Sequence, residues 1–410
     1  MYKNASLLLT ASVVGKVGQL AIFILFARWL GAAAAGRFAF ALAVTAPVFI
    51  LASLGMRDIY LTLRTDIALA HYERVRAVTV VAAIVVSVGV SFLLPMNVAV
   101  IIAVVACSKA LDSFNDLYGA AMQKSSRIKF TVLTSAITTI LQVTTIAAAL
   151  ALGATMPVAL GVSTLSYLIS VVFIVRPIAY KGLRDDEARV TAKSGRAWIE
   201  IARAGFPTGI SLGLITALST LPQYFLSWTR GPVDVGKYAM LLYLVVAMEM
   251  ALNALAQSWI PVGRALEWEG TLSSRRILGV ALRWTLITLP FALLGIAVAT
   301  VAFPLVLGPT YTITMAEVFP LAGAMIMTPA VFAATTSLAI QNRYQWGLIG
   351  SVLTMLAGLV IGWVIIKPFG IPGALWTFTA CLTLRSAAAL MFTKHEPSVP
   401  RVRTSEAEAL

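Results

Sequence analysis

The sequence predicts an all-helical (all-α) integral membrane protein with 12 transmembrane helices, arranged as two similar, parallel six-helix halves. Three observations carry this prediction. Hydrophobic residues make up 60% of the 410 residues and charged residues only 12%, whereas a soluble domain has about 25% charged residues. The mean hydropathy is +0.90, as expected of a chain that lies mostly within a bilayer. A turn motif near residue 31 recurs 200 residues later, at the matching point of the hydropathy profile.

Twelve apolar stretches are each long enough to cross a hydrocarbon core of about 30 Å, which takes about 20 helical residues. The predicted spans cover about residues 5–27, 36–56, 77–95, 97–122, 128–152, 156–175, 204–228, 237–260, 278–302, 316–340, 346–366 and 371–392. The first span follows Lys3 and resembles a secretory signal, but it is long and contains Lys16, which favours a retained helix.

The loop charges predict the orientation. Of the 31 Lys and Arg residues, 23 fall in the loops on the side of the two termini, 5 on the other side and 3 within the spans. Basic loops remain in the cytoplasm, so both termini are predicted to be cytoplasmic. This distribution accounts for the net charge of +14 without a nucleic-acid partner.

The recurring motif suggests that the halves arose by duplication. The identical positions are Gly31, Gly36, Ala39 and Leu42 in the first half and Gly231, Gly236, Ala239 and Leu242 in the second. The predicted organisation is a six-helix half at 1–180, a cytoplasmic linker at 181–203, a second six-helix half at 204–394 and a disordered cytoplasmic tail at 395–410.

Polar side chains form stripes on three of the predicted spans. Charged groups at membrane depth cost about 2.5–3.5 kcal/mol, so they need a partner, a wet cavity or a function. The stripes are spaced by three or four residues, which places each on one helix face. They consist of Ser12, Lys16 and Gln19 in span one, Lys109, Asp112 and Asp116 in span four, and Glu249, Asn253 and Gln257 in span eight. Together they predict one shared aqueous cavity.

Two interpretations of these charges stay open. Lys109 and Asp112 are one helical turn apart, so they are able to form an internal ion pair with a purely structural role. Lys16 has no acidic residue one turn away, which favours a ligand-binding role. In the second half, the position equivalent to Lys16 is occupied by Thr216. The duplicated fold therefore does not itself require a charge at this position.

The sequence does not favour catalysis. The loops on the external side are short, which leaves no folded domain to hold a sugar donor. His71 and His395 are far apart in the sequence, and neither a phosphate-binding loop nor a nucleophile motif is present. We therefore expect no enzyme, no metal site and no organic cofactor.

Several turns resemble those of Wzx-type polysaccharide flippases, the O-antigen and exopolysaccharide transporters of the multidrug/oligosaccharidyl-lipid/polysaccharide (MOP) superfamily, which includes the MATE exporters. The motifs that carry the resemblance are Ala27–Gly31 with Gly36–Phe38, Gly205–Pro207, Gly236–Tyr238, Leu305–Tyr311, Gly370–Ala374, and the matched pair Ala121–Gln123 and Ala339–Gln341.

The resemblance implies a flippase in the bacterial inner membrane that moves a polyprenyl-pyrophosphate-linked oligosaccharide to the periplasm by alternating access. Under it, Lys16 and Lys109 bind the pyrophosphate at the midplane, and Arg28 and Arg230 receive it at the external ends of spans one and seven. Sugar hydroxyls then meet the polar residues Ser12, Gln19, Asn253 and Gln257. The carboxylates of Glu249, Asp112 and Asp116 are the expected sites of a coupling H⁺ or Na⁺.

The implied partners are the lipid-linked oligosaccharide and membrane lipids, with a polysaccharide polymerase and a chain-length regulator as further partners to test. Two alternatives remain. A cation-coupled, MATE-like small-molecule exporter would share the fold but would favour an acidic cavity. A membrane enzyme of polysaccharide assembly would need the extramembrane domain that the sequence lacks.

Overall fold

The computed structural model describes residues 2–62, 67–181, 197–341 and 343–393, and their regular secondary structure is entirely helical. Within these residues, twelve helices are long and apolar enough to cross a membrane, which confirms the predicted fold class. They are α1 (Tyr2–Leu30), α2 (Ala32–Ser53), α3 (Leu69–Ser91), α4 (Met96–Lys124), α5 (Ile128–Ala151), α6 (Met156–Ser170), α7 (Ala197–Thr229), α8 (Pro232–Trp268), α9 (Ser274–Leu307), α10 (Met315–Ile340), α11 (Tyr344–Phe369) and α12 (Ile371–Phe392).

Several helices are longer than the apolar stretches that predicted them. For example, α8 ends at Trp268, eight residues beyond its predicted span. Hydropathy marks only the part of a helix that lies in hydrocarbon, whereas backbone hydrogen bonding carries the helix on into the interface. The predicted tail and most of the predicted linker, residues 182–196, lie outside the described residues.

Two irregular segments adjust helix ends on the side of the termini. The backbone turns at Leu54 and Gly55, both with positive φ, and a short helix, Met56–Thr62, follows within the same membrane crossing. Helix α6 continues through a π-helical turn, Val171–Val175, into the short helix Arg176–Tyr180.

Helix packing repeats between the first six helices and the last six. In the first half the packed pairs are α1 with α5, α2 with α4, α3 with α4, α4 with α6, and α5 with α6. The equivalent pairs of the second half are α7 with α11, α8 with α10, α9 with α10, α10 with α12, and α11 with α12. The sequence repeat therefore corresponds to a repeated arrangement of helices.

The halves meet along α2, which packs against both α7 and α8. Glycines allow these backbones to approach closely. A Cβ atom on Gly36 would overlap the carbonyl oxygen of Pro232, and a Cβ on Gly236 would lie 3.0 Å from the Gly36 nitrogen. The duplicated turns thus contact each other directly, at the face of the protein away from the termini. We call that side the opposite face and the side of the termini the terminal face.

Aromatic side chains complete a seal near the opposite face. Phe23 on α1 makes edge-to-face contacts with Tyr243 on α8 and Tyr311 in the loop before α10, each with ring centroids 6.3 Å apart. Burial raises the pKa of Tyr311 to about 12, so its phenol remains neutral in the seal. Towards the terminal face, the Leu9, Val13 and Val17 side chains of α1 are exposed. The contacts of α1 and α2 with α8 therefore close the halves at the opposite face.

Candidate functional site

A cavity of about 450 Å³ lies inside the first six-helix half. It is bounded by α1, α2, α4, α5 and α6, and the second half contributes none of its lining. The polar side chains that line it are Ser12, Lys16, Gln19, Arg57, Ser108, Lys109, Asp112, Asn115, Asp116, Thr131, Ser135, Thr138, Thr139, Gln142, Ser163 and Tyr167. Such a concentration of hydrogen-bonding groups inside a bundle of membrane helices identifies it as the main candidate site.

The middle of the cavity contains the ion pair that the spacing on α4 allowed. The Lys109 Nζ lies 2.9 Å from the Asp112 carboxylate. Tyr167, on α6, also lines the cavity and lies within electrostatic range of Asp112. The Lys109 ammonium thus compensates the charge of Asp112 within the protein.

A second ion pair closes the terminal end of the cavity. The Arg57 guanidinium lies 2.7 Å from the Asp116 carboxylate and donates a second hydrogen bond of 3.2 Å to Gln123. The turn at Leu54 and Gly55 brings Arg57 to this position. Because Arg57 follows a predicted span, the sequence places it only among the loop charges.

Lys16 differs from the other cations of the cavity. Its side chain is exposed to the cavity and forms no ion pair with any residue of the described ranges. It lies within electrostatic range of Lys109, Asp112 and Glu249. With Lys109 and Arg57 each paired to one carboxylate, Lys16 gives the cavity a net positive charge.

The polar stripe on α8 lies elsewhere. Glu249, Asn253 and Gln257 do not line the cavity, so only the stripes of α1 and α4 share it. Glu249 is in electrostatic range of Lys16 on α1 and of Arg385 on α12. Hydropathy and spacing fix which residues share a helix face, but they do not fix how α8 is rotated towards its neighbours.

Arg28 and Arg230 bind carbonyl oxygens at the opposite face, outside the cavity. The Arg28 guanidinium donates to Leu305, near the end of α9, at 3.0 Å. The Arg230 guanidinium donates to Lys367 and Pro368, at the end of α11, at 2.9 Å each. The two arginines stabilise the negative ends of these helices, and neither contacts Lys16 or Lys109 in this conformation.

The sequence analysis missed the polar face of α5. Thr131, Ser135, Thr139 and Gln142 follow one another at helical spacing and line the cavity. The spacing is present in the sequence, but uncharged Ser and Thr are common in membrane helices and do not by themselves indicate a cavity. Among the described residues, no group of three or more His, Cys, Asp or Glu side chains is placed to hold a metal ion.

Comparisons with known proteins agree with this architecture. Residues 1–264 match the sequence family described as polysaccharide biosynthesis protein. No curated protein matches the chain.

Solved structures share the fold at low sequence identity. An inward-facing MATE-family multidrug transporter of the MOP superfamily matches with a TM-score of 0.69 and 14% identity, over 94% of this chain and 96% of that one. A lipid II flippase in an inward closed conformation matches with a TM-score of 0.65 and 12% identity, over 93% and 86%. A MATE transporter from Vibrio cholerae matches with a TM-score of 0.60 and 13% identity, over 95% and 94%. These proteins are transporters and a flippase rather than enzymes.

Proposed function

The chain belongs to the polysaccharide biosynthesis protein family and has the fold of MOP-superfamily transporters, and from this premise we propose that it is a flippase of surface polysaccharide biosynthesis. Its substrate is a polyprenyl-pyrophosphate-linked oligosaccharide repeat unit. It moves this unit across the bacterial inner membrane, from the cytoplasm to the periplasm, by alternating access.

The observation that carries the proposal is the unpaired Lys16 in a cavity that otherwise contains balanced ion pairs. Pyrophosphate is a compact anion that loses its hydration shell when it enters a membrane bundle. A lysine in low dielectric compensates that charge far better than one in water. Lys16 is free to bind the pyrophosphate, and Lys109 joins it by sharing its charge between Asp112 and the substrate.

The exposed part of α1 indicates a route for the substrate. We infer a gap between α1 and α8 at the terminal face, where Leu9, Val13 and Val17 are exposed, and the basic loops predict that this face is cytoplasmic. The charged head enters through this gap, while the polyprenyl tail remains in the bilayer beside α1. Parting of the Gly36 and Gly236 turns then opens the other side. Arg28 and Arg230 receive the pyrophosphate there once they leave the carbonyl oxygens that they now bind.

The coupling ion acts at a carboxylate that is able to change its charge. A carboxylate in low dielectric resists ionisation, so it is suited to take up a proton on one side and release it on the other. Asp112 and Asp116 are ion-paired. We therefore assign coupling by H⁺ or Na⁺ first to Glu249, which forms no ion pair within 4 Å among the described residues and faces Lys16 across the gap.

A deletion strain tests the proposal and separates it from its alternatives. We expect lipid-linked oligosaccharide to accumulate on the cytoplasmic leaflet, and the wild-type gene to restore export. Accumulation of unpolymerised units on the periplasmic leaflet would indicate an assembly enzyme. Sensitivity of the deletion strain to drugs, with normal polysaccharide export, would indicate a small-molecule exporter.

Cysteine labelling tests the orientation on which the direction of transport depends. Cysteines at Asp185 and Thr404 should react with an impermeant maleimide only after the inner membrane is opened. A cysteine at Pro232 should react in cells whose inner membrane is intact. Labelling of position 185 from outside would show that the orientation, and with it the direction of transport, is the reverse of the one proposed. Pull-down from the same membranes tests the polymerase and the chain-length regulator as partners.

A further inference from the structure

We propose that the polar face of α5 is a binding site for an uncharged sugar ring of the transported lipid. This α5 face comprises Thr131, Ser135, Thr139 and Gln142. The inference rests on the proposed function and goes beyond it, because it names the chemical class of the group that the cavity selects and the wall that selects it.

The α5 face has unused hydrogen-bonding capacity. The side chains of Ser135, Thr139 and Gln142 form no hydrogen bond with any residue that the structure describes, and the buried Thr131 hydroxyl has no partner. By contrast, Thr144 on the same helix donates to the carbonyl of Ile140 at 2.8 Å, as threonines in membrane helices commonly do. A polar group without a partner costs about 1–3 kcal/mol when it is desolvated, so these side chains need a ligand or water in the cavity.

The walls beside this face have the same character. Ser12 and Gln19 of α1 and Ser108 of α4 line the cavity, and their side chains form no hydrogen bond with the described residues. Hydroxyl and amide groups both donate and accept, as do the hydroxyl groups of a sugar. Two such walls around one space match a sugar ring, whose hydroxyls project outwards around the edge of the ring.

The charge distribution indicates that this ring is uncharged. The α5 face contains no ionisable side chain. The negative charges of Asp112 and Asp116 are compensated by Lys109 and Arg57. Lys16 binds the pyrophosphate under the proposed function. A sugar acid or amino sugar placed against α5 would find no oppositely charged side chain on that face and would lose its hydration.

The volume limits how much of the oligosaccharide is bound. A cavity of about 450 Å³ lies at the low end of the range for sites that hold drug-sized ligands, about 300–1,000 Å³. It therefore admits only part of an oligosaccharide. The remaining rings extend into the gap between the halves.

Gly15 provides a way to fill the cavity without disturbing the helix. It lines the cavity, and a Cβ atom at this position would meet nothing within 4 Å. Gly15→Leu places a side chain in the sugar space and should leave the packing of α1 intact. Gly89 on α3 has equally open surroundings outside the cavity, so Gly89→Leu is the matched control. Gln142→Leu and Thr144→Val form a second pair on α5, inside and outside the cavity.

The test measures binding to purified protein in nanodiscs by native mass spectrometry, with two lipids. One is the lipid-linked oligosaccharide isolated from the deletion strain, and the other is polyprenyl pyrophosphate without sugar. We expect Gly15→Leu and Gln142→Leu to weaken binding of the oligosaccharide lipid by about tenfold or more, and to leave the sugar-free lipid within about twofold of wild type. Both control variants should bind both lipids normally.

The outcomes separate this inference from the proposed function. If wild type binds neither lipid, the proposed function fails and the sugar site fails with it. If wild type binds the oligosaccharide lipid and both cavity variants bind it equally well, the α5 site alone is wrong. Equal weakening for both lipids would also overturn it, because the residues would then act on the pyrophosphate or on the fold. Thermal unfolding of each variant monitors the fold.

Discussion

Gly36→Ala should weaken the seal at the opposite face and shift the protein towards the conformation that is open there. The added methyl group would overlap the Pro232 carbonyl oxygen, and that oxygen belongs to backbone that cannot rotate away. Overpacking of this kind costs about 1–3 kcal/mol. The penalty applies only while the halves are in contact, so the ratio of sealed to open protein should fall by about fivefold to a hundredfold. Gly236→Ala should have a smaller effect, because its nearest contacts would be 3.0 Å or longer.

The assay is labelling of a single cysteine that lines the cavity. Leu42→Cys, in a background without Cys107 and Cys381, is exposed to an impermeant maleimide outside the inner membrane. Labelling should be slow in this background and at least about fivefold faster with Gly36→Ala. Gly89→Ala, which adds a methyl group in open space, should leave the rate unchanged. An unchanged rate in a Gly36→Ala protein that is present at normal level would refute the contact between the halves as the seal.

Three further substitutions test the charged groups. Lys16→Ala should abolish polysaccharide export at normal protein level, and Lys16→Arg should restore part of it. Arg275→Ala, in a terminal-face loop, should leave export nearly unchanged. Normal export by Lys16→Ala would show that this lysine is not part of the substrate site. Glu249→Gln should lose gradient-driven transport in proteoliposomes and retain substrate binding. A full response of this variant to an imposed pH or Na⁺ gradient would instead show that the carboxylate is structural. Asp116→Asn should lower the free energy of unfolding by about 1 kcal/mol or less, because its ion pair with Arg57 is partly exposed. The double exchange Arg57→Asp with Asp116→Arg should recover most of this loss. No recovery would mean that the pair does not stabilise the fold.

The sequence contained enough information to predict the helices and part of the site. The twelve spans are predicted from the hydropathy of successive residues, and the repeat from identical residues 200 positions apart. Neither prediction needs knowledge of how the helices pack. Lys16 and Lys109 line one cavity, as the polar stripes on α1 and α4 predicted. The spacing on α4 likewise allowed the pair between Lys109 and Asp112.

The remaining features depend on three-dimensional packing. Arg57 belongs to the cavity only because the turn at Leu54 returns the chain towards α4. Gly55 marks the end of α2, but it does not indicate the direction that the chain takes afterwards. The rotation of α8 depends on its packing against α2 and α10, so the placement of Glu249 outside the cavity lining was not predictable. Arg28 and Arg230 lie at the corresponding ends of α1 and α7, yet each binds carbonyl groups of a different neighbouring helix.

Translocation by the purified protein tests the central claim most directly. Proteoliposomes are loaded with fluorescently labelled lipid-linked oligosaccharide from the deletion strain, and a membrane-impermeant quencher reports the fraction that remains on the outer leaflet. The account predicts that wild-type protein moves this lipid across the bilayer, that Lys16→Ala does not, and that Arg275→Ala matches wild type. Translocation that is equally fast with wild type, with Lys16→Ala and without protein would contradict it.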